Sequence, residues 1–146
     1  MQQTDLKNSI LFKTEKAEAS MVPQRSVLLC RITSAFINEE QYKELFIEVG
    51  KQMEQHNLKY LVFDKSALTV FHQPSMEWYH VIWKEEMTAK GVKGYYKILP
   101  DDAMFKNSVQ VGKANIAKKF PSFDFEKHNI RYFNSVEEAL KFAEQI

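Results

Sequence analysis

Apolar and polar positions alternate along this chain in blocks that read as strands and helices in turn. Ile10-Leu11-Phe12 is a short apolar strand, followed by a polar, small-residue turn from Thr14 to Ser20 and a weak second strand at Met21-Val22-Pro23. Pro23 lacks a donor, which suits an edge or a loop. Val27 to Ile32 is continuous and β-branched, the pattern of a buried strand. Tyr42, Leu45, Phe46, Val49 and Met53 then recur at helical spacing behind Asn38 and Gln41, a capping pair, so a helix is expected over Asn38–Gln55.

Lys59 to Asp64 is the strongest strand, apolar on both faces as a covered central strand would be. Ser66 to Gln73 reads as a loop or short strand. Pro74 sits well in a first helical turn, and a second helix is expected over Pro74–Lys90, stopping before Gly91. Tyr95 to Pro100 and Asn129 to Phe133 are further strands. A helix from about Asn107 to Lys119 ends before Pro121, although Gly112 weakens it, and Ser135-Val136-Glu137-Glu138 caps a last helix over Ser135–Gln145, with Ile146 at its end.

Such alternation predicts an α/β fold: a central mixed, largely parallel sheet of four to six strands packed by about four helices. With 146 residues the chain suits one domain, 1–146, since halves would bury poor cores. Val62 and Phe63 should be central and buried.

Charge narrows the partners. The net charge is +1, which gives no electrostatic footprint for nucleic acid. Lys113, Lys118 and Lys119 form the one local basic cluster and read as a solvated helix face. Met1 to Asn8 lacks the apolar stretch of a secretory signal, and no apolar run reaches the roughly 20 residues of a spanning helix, so a cytoplasmic location without membrane contact is expected. Cys30, alone in an apolar strand, reads as a small core residue.

Strong chemical motifs are absent from the sequence. Four Gly build no phosphate loop, and one Cys makes no thiolate zinc site. His56, His72, His80 and His128 read as solvent or pocket-rim histidines rather than ligands; a metal would need His72 and His80 to converge on a carboxylate such as Glu77. No metal, no cofactor and no enzymatic activity are therefore expected. An enzyme would require Asp64, His72 and His80 to share one cleft.

Two regions invite function. Asp64 ends the strongest strand, where open α/β sheets take ligands, although a strand-end Asp also caps turns. The second helix carries one stripe of Met76, Tyr79, Trp83 and Met87 and a broader one of Trp78, Val81, Ile82 and Ala89, more apolar surface than one sheet needs. That excess suits core packing, a neighbouring helix, a protein partner or homodimer, or a small apolar ligand in a pocket beside helix 74–90. Candidate binding residues are Asp64, His72, Ser75, Trp78, Tyr79 and Trp83.

The strand Tyr60-Leu61-Val62-Phe63-Asp64, its following loop, the Trp-bearing helix and the ending Ile130-Arg131-Tyr132-Phe133-Asn134-Ser135-Val136-Glu137-Glu138-Ala139 resemble the STAS/SpoIIAA-like family of small bacterial domains, in particular its uncharacterised stand-alone branch. The resemblance covers about residues 25 to 146 and lies mostly in element order and apolar pattern. It implies a mixed sheet with helices in a non-enzymatic domain that acts in protein–protein regulation, as anti-sigma-factor antagonists do, or binds small ligands. The regulatory branch has an Asp-Ser-Ser/Thr-Gly-type stretch whose Ser or Thr accepts phosphate. Here the region reads Val70-Phe71-His72-Gln73-Pro74-Ser75-Met76, without the acid, the acceptor in register or the glycine. Ser75 is a displaced candidate, and kinase-switched sigma-factor control is not carried over.

Overall fold

A computed structural model of the chain describes residues 9–22 and 25–144. The sequence readings at Met1–Asn8, Pro23, Gln145 and Ile146 lie outside the described residues. The fold is α/β, a six-stranded mixed sheet in the order β1-β2-β3-β4-β5-β6. Its strands are β1 (Ile10–Lys13), β2 (Ala17–Val22), β3 (Val27–Ile32), β4 (Tyr60–Asp64), β5 (Gly94–Ile98) and β6 (Ile130–Phe133). The first two pairings are antiparallel and the next three parallel.

Each parallel step is crossed by a helix: α1 (Glu39–Gln55), α2 and α3 (Ala103–Lys119). We use α2 for three consecutive helical pieces, Gln73–Glu77, Trp78–Lys84 and Glu85–Ala89, of which the middle one is a π-helix. A single 3-10 turn, Glu126–His128, precedes β6, and α4 (Val136–Glu144) follows it. No helix among the described residues is long and apolar enough to cross a membrane.

The two-residue period of the strands divides the core. Leu28, Cys30, Leu61, Phe63 and Tyr95 face a layer formed by α1, α2 and α3. Val27, Leu29, Val62, Tyr96 and Ile98 face Ala139, Leu140 and Ala143 of α4 on the other side. β4 lies between β3 and β5, and Val62 and Phe63 are fully buried as expected. Lys97 follows the same period, so it points with Tyr95 into the three-helix layer.

α2 occupies the middle of that layer because glycines on both neighbours admit it closely. A Cβ at Gly50 of α1 would stand 3.1 Å from Met87 Sδ. One at Gly112 of α3 would stand 2.7 Å from Met76 Sδ, so the residue that weakened the α3 prediction is where α3 approaches α2. The α1 cap is the expected one: Gln41 N–H donates to Asn38 Oδ1 at 2.8 Å and Asn38 N–H to Gln41 Oε1 at 3.1 Å. Asn38→Ala should lower the unfolding free energy by about 1 kcal/mol in urea titrations.

Two elements differ clearly from the sequence reading. Ala17–Val22 is a full six-residue strand rather than a turn and a weak strand, because the small residues Ala17, Ala19 and Ser20 are buried beside β3. Ser66 to His72 is a loop, one of the two readings the sequence left open, and Gln73 opens α2. α3 begins at Ala103 rather than Asn107, since Asp102 caps it by accepting from Met104 N–H at 2.9 Å.

Candidate functional site

The residues singled out beyond β4 are present but mutually satisfied. Asp64 accepts from Arg31 Nε at 3.2 Å and from Ser66 N–H at 3.0 Å, an ion pair across β3 and β4 plus a turn bond. His72 is the N-cap of α2: its Nδ1 accepts from Ser75 N–H at 3.3 Å and lies 2.9 Å from Ser75 Oγ. Ser75 is buried, so its hydroxyl serves that cap instead of facing a kinase. The cavity beside His72, lined also by Tyr42, Lys65, Phe71 and Phe105, holds about 30 Å³, room for roughly one water molecule.

No hydrogen bond among the described residues joins any two of Asp64, His72 and His80. Nor do the described residues contain a group of three His, Cys, Asp or Glu able to hold a metal. A larger cleft of about 640 Å³ opens beyond β5 and β6, where Leu99, Lys106, Asn107, Gln110, Tyr132 and Asn134 line it.

The aromatic residues of α2 separate by face. Tyr79 and Trp83 are buried, stacked at 5.4 Å and packed on Phe46 of α1, and Trp83 Nε1 donates to the Phe46 carbonyl at 2.6 Å. They belong to the core and cannot anchor a partner. Trp78 is half-buried and Ile82, four residues on, is 54 % exposed. Lys43 of α1 lies 6.0 Å from the Trp78 ring, and Ile47, four residues beyond Lys43, is 51 % exposed. α1 and α2 cross successive parallel steps of the sheet, so Ile47 and Ile82 each follow the Lys43–Trp78 contact by four residues. The two exposed isoleucines and the half-buried Trp78 supply apolar surface on these two helices, with Lys43 beside it.

Sequence reasoning missed the most unusual polar group in the molecule. His80 and His128 are not rim histidines: both are buried. His80 Nδ1 lies 3.2 Å from Lys84 Nζ and its Nε2 lies 3.3 Å from Lys97 Nζ, with all three side chains inside the helical layer. Lys84 Nζ sits 4.7 Å from the Tyr79 ring centre and 4.9 Å from that of Tyr95; Lys97 Nζ sits 4.8 Å from Tyr79. Among the described residues no carboxylate pairs with any of the three.

Burial holds all three groups toward their neutral forms. His80 lies well below the ordinary imidazole value, first through desolvation and then through Lys84 and Lys97. Both lysines lie well below the ordinary amine value, first through desolvation. Lys65, also desolvated, falls to about 8. A neutral imidazole has one N–H and one bare nitrogen. Whichever nitrogen carries the proton, the lysine facing the N–H must accept, so at least one of the two amines is neutral.

A second network fastens residues 120–128 over this cluster. Thr88 Oγ1 lies 2.7 Å from His128 Nδ1 and 2.9 Å from Tyr95 Oη, and Glu85 meets His128 Nε2 at 3.3 Å and Lys127 Nζ at 3.0 Å. Phe125 and Phe123, both half-buried in the same strap, stand 5.3 Å and 6.3 Å from the His80 ring. Elsewhere the sequence reading of the lone thiol stands: Cys30 is fully buried, and burial pushes its thiol far up. Lys118 and Lys119 are exposed as expected, whereas Lys113 lies 5.4 Å from the rings of both Phe125 and Tyr132.

Comparisons of the chain with protein-family models, with curated proteins and with solved structures give no match.

Proposed function

We propose that this protein is a non-enzymatic interaction domain, of the kind its resemblance to STAS/SpoIIAA-like domains implies, and that it binds a protein partner through the α1–α2 face. The observation that carries this reading is the apolar surface that Trp78, Ile82 and Ile47 supply on these two helices. Large apolar groups held on two adjoining helices are poorly solvated there, and a Trp beside a cation is a common anchor of interfaces. A second copy of the chain is one such partner. The alternative, a small apolar ligand beside α2, is supported less, because about 30 Å³ next to His72 is far below the roughly 300 Å³ of ordinary ligand sites. Space for a ligand lies instead in the cleft formed by α3 and β6.

Ile82→Glu places a charge on this surface without touching the core. The unfolding free energy should change by less than about 1 kcal/mol. Association with a partner purified from the native cells, or self-association seen by light scattering, should weaken by about 10-fold or more. Unaltered association in both Ile82→Glu and Trp78→Ala would overturn the assignment of this face.

A further inference from the structure

The His80–Lys84–Lys97 cluster is buried and takes no part in the proposed partner face. Its geometry points to a closed binding site for a small carboxylate, covered by the aromatic strap 120–128.

Three observations converge. Two amines and an imidazole meet at 3.2 and 3.3 Å with no acid beside them, so the site is rich in N–H donors and lacks the anionic acceptor that would complete it. Buried ammonium groups are costly without a paired anion. His80 and Lys84 both stand on the π-helical segment Trp78–Lys84, a rare conformation that concentrates at functional sites. Finally, among the described residues Tyr79 Oη is buried without a hydrogen-bond partner, and the Tyr79 ring borders both amines.

The occupant follows from these groups. A carboxylate is acceptor-only and offers two oxygens, one for each amine, so it would replace two poor N···N contacts by two charge-assisted bonds. One amine takes up a proton as the anion arrives, and that single ammonium balances the carboxylate. Phe123 and Phe125 suit a flat apolar body attached to that carboxylate. Entry requires the strap to lift, and its attachments to α2 are the Glu85 contacts with Lys127 and His128 and the Thr88 bond.

Benzoate is the probe, titrated into the full chain against chloride at equal ionic strength, with inorganic phosphate as a parallel arm. Benzoate should raise the melting temperature and shift the side-chain amine signals of Lys84 and Lys97 in isotope-labelled wild-type protein. Lys84→Met and Lys97→Met should each weaken benzoate binding by about 10–100-fold, the loss expected for one charge-assisted bond. Both variants should melt no lower than wild type without ligand, since each removes a buried amine. A simple structural role for the lysines would lower both. Amine signals unmoved by benzoate would overturn the site, even if a variant failed to fold. A response to phosphate alone, or an undiminished response in both variants, would overturn the carboxylate assignment.

Discussion

Raising the pH from about 6 to about 9 should make this protein more stable. Lys84, Lys97 and Lys65 have folded-state values lowered by burial, and so do His80 and His128. The unfolded chain therefore binds protons that the folded chain excludes. Linkage gives the sign: where the unfolded state holds more protons, stability rises with pH. His80 and His128 contribute as pH climbs through the ordinary imidazole range, and the lysines contribute from their lowered values up to the ordinary amine value.

Each excluded proton is worth about 1.4 kcal/mol per pH unit. One lysine alone thus yields about 3 kcal/mol across two units, a large share of a typical 5–15 kcal/mol. The rise should slow above about pH 9 and end near pH 10, because burial holds up Cys30, then Tyr42 and Tyr79, and their ionisation favours the unfolded chain. Urea titrations at successive pH values check this. Stability that is flat or falling between pH 7 and 9 would mean that Lys84, Lys97 and Lys65 are charged in the folded protein.

Trp83→Ala should lower the unfolding free energy by about 3–5 kcal/mol, the range for a large aromatic lost from a core. Its ring contacts Phe46 at 5.0 Å, Tyr79 at 5.4 Å and Tyr95 at 6.1 Å, so the deletion strips one wall from an aromatic cluster spanning α1, α2 and the sheet. Gly50 and Met87 already lie against this wall, so the helices have little freedom to close the gap. Trp83→Phe should recover most of the loss, leaving the 2.6 Å bond to the Phe46 carbonyl unmade. A loss below about 1.5 kcal/mol for Trp83→Ala in chemical denaturation would place the indole outside the core.

The apolar spacing in the sequence was enough to place α1, β3, β4 and the helical layer, because those elements obey a single period each. β2 was obscured because Ala17, Glu18, Ala19 and Ser20 carry no β-branched or aromatic signal; the partner strand β3 buries Ala17, Ala19 and Ser20 anyway. The α3 start was missed because Asp101 and Asp102 read as a turn, whereas one Asp102 side-chain bond caps the helix at Ala103.

Of the candidate site, Trp78 is half-buried and packed against the core, whereas Trp83, Tyr79 and Ser75 are interior. The lysine cluster was hidden by residue type rather than by pattern. Lys84 lies four residues after His80, next to the Met76–Tyr79–Trp83–Met87 stripe, and Lys97 alternates in step with Tyr95. Position alone assigned all three to the core face; their charge argued for solvent. Polar residues on an apolar period were the signal.

A photo-crosslinking amino acid at position 82, expressed in the native cells, tests the proposed function most directly. The α1–α2 face predicts one discrete protein adduct from position 82, lost when Trp78→Ala is added and absent when the probe is moved to the exposed Met104 of α3. No discrete adduct from position 82, or one that survives Trp78→Ala, would contradict partner binding by this face.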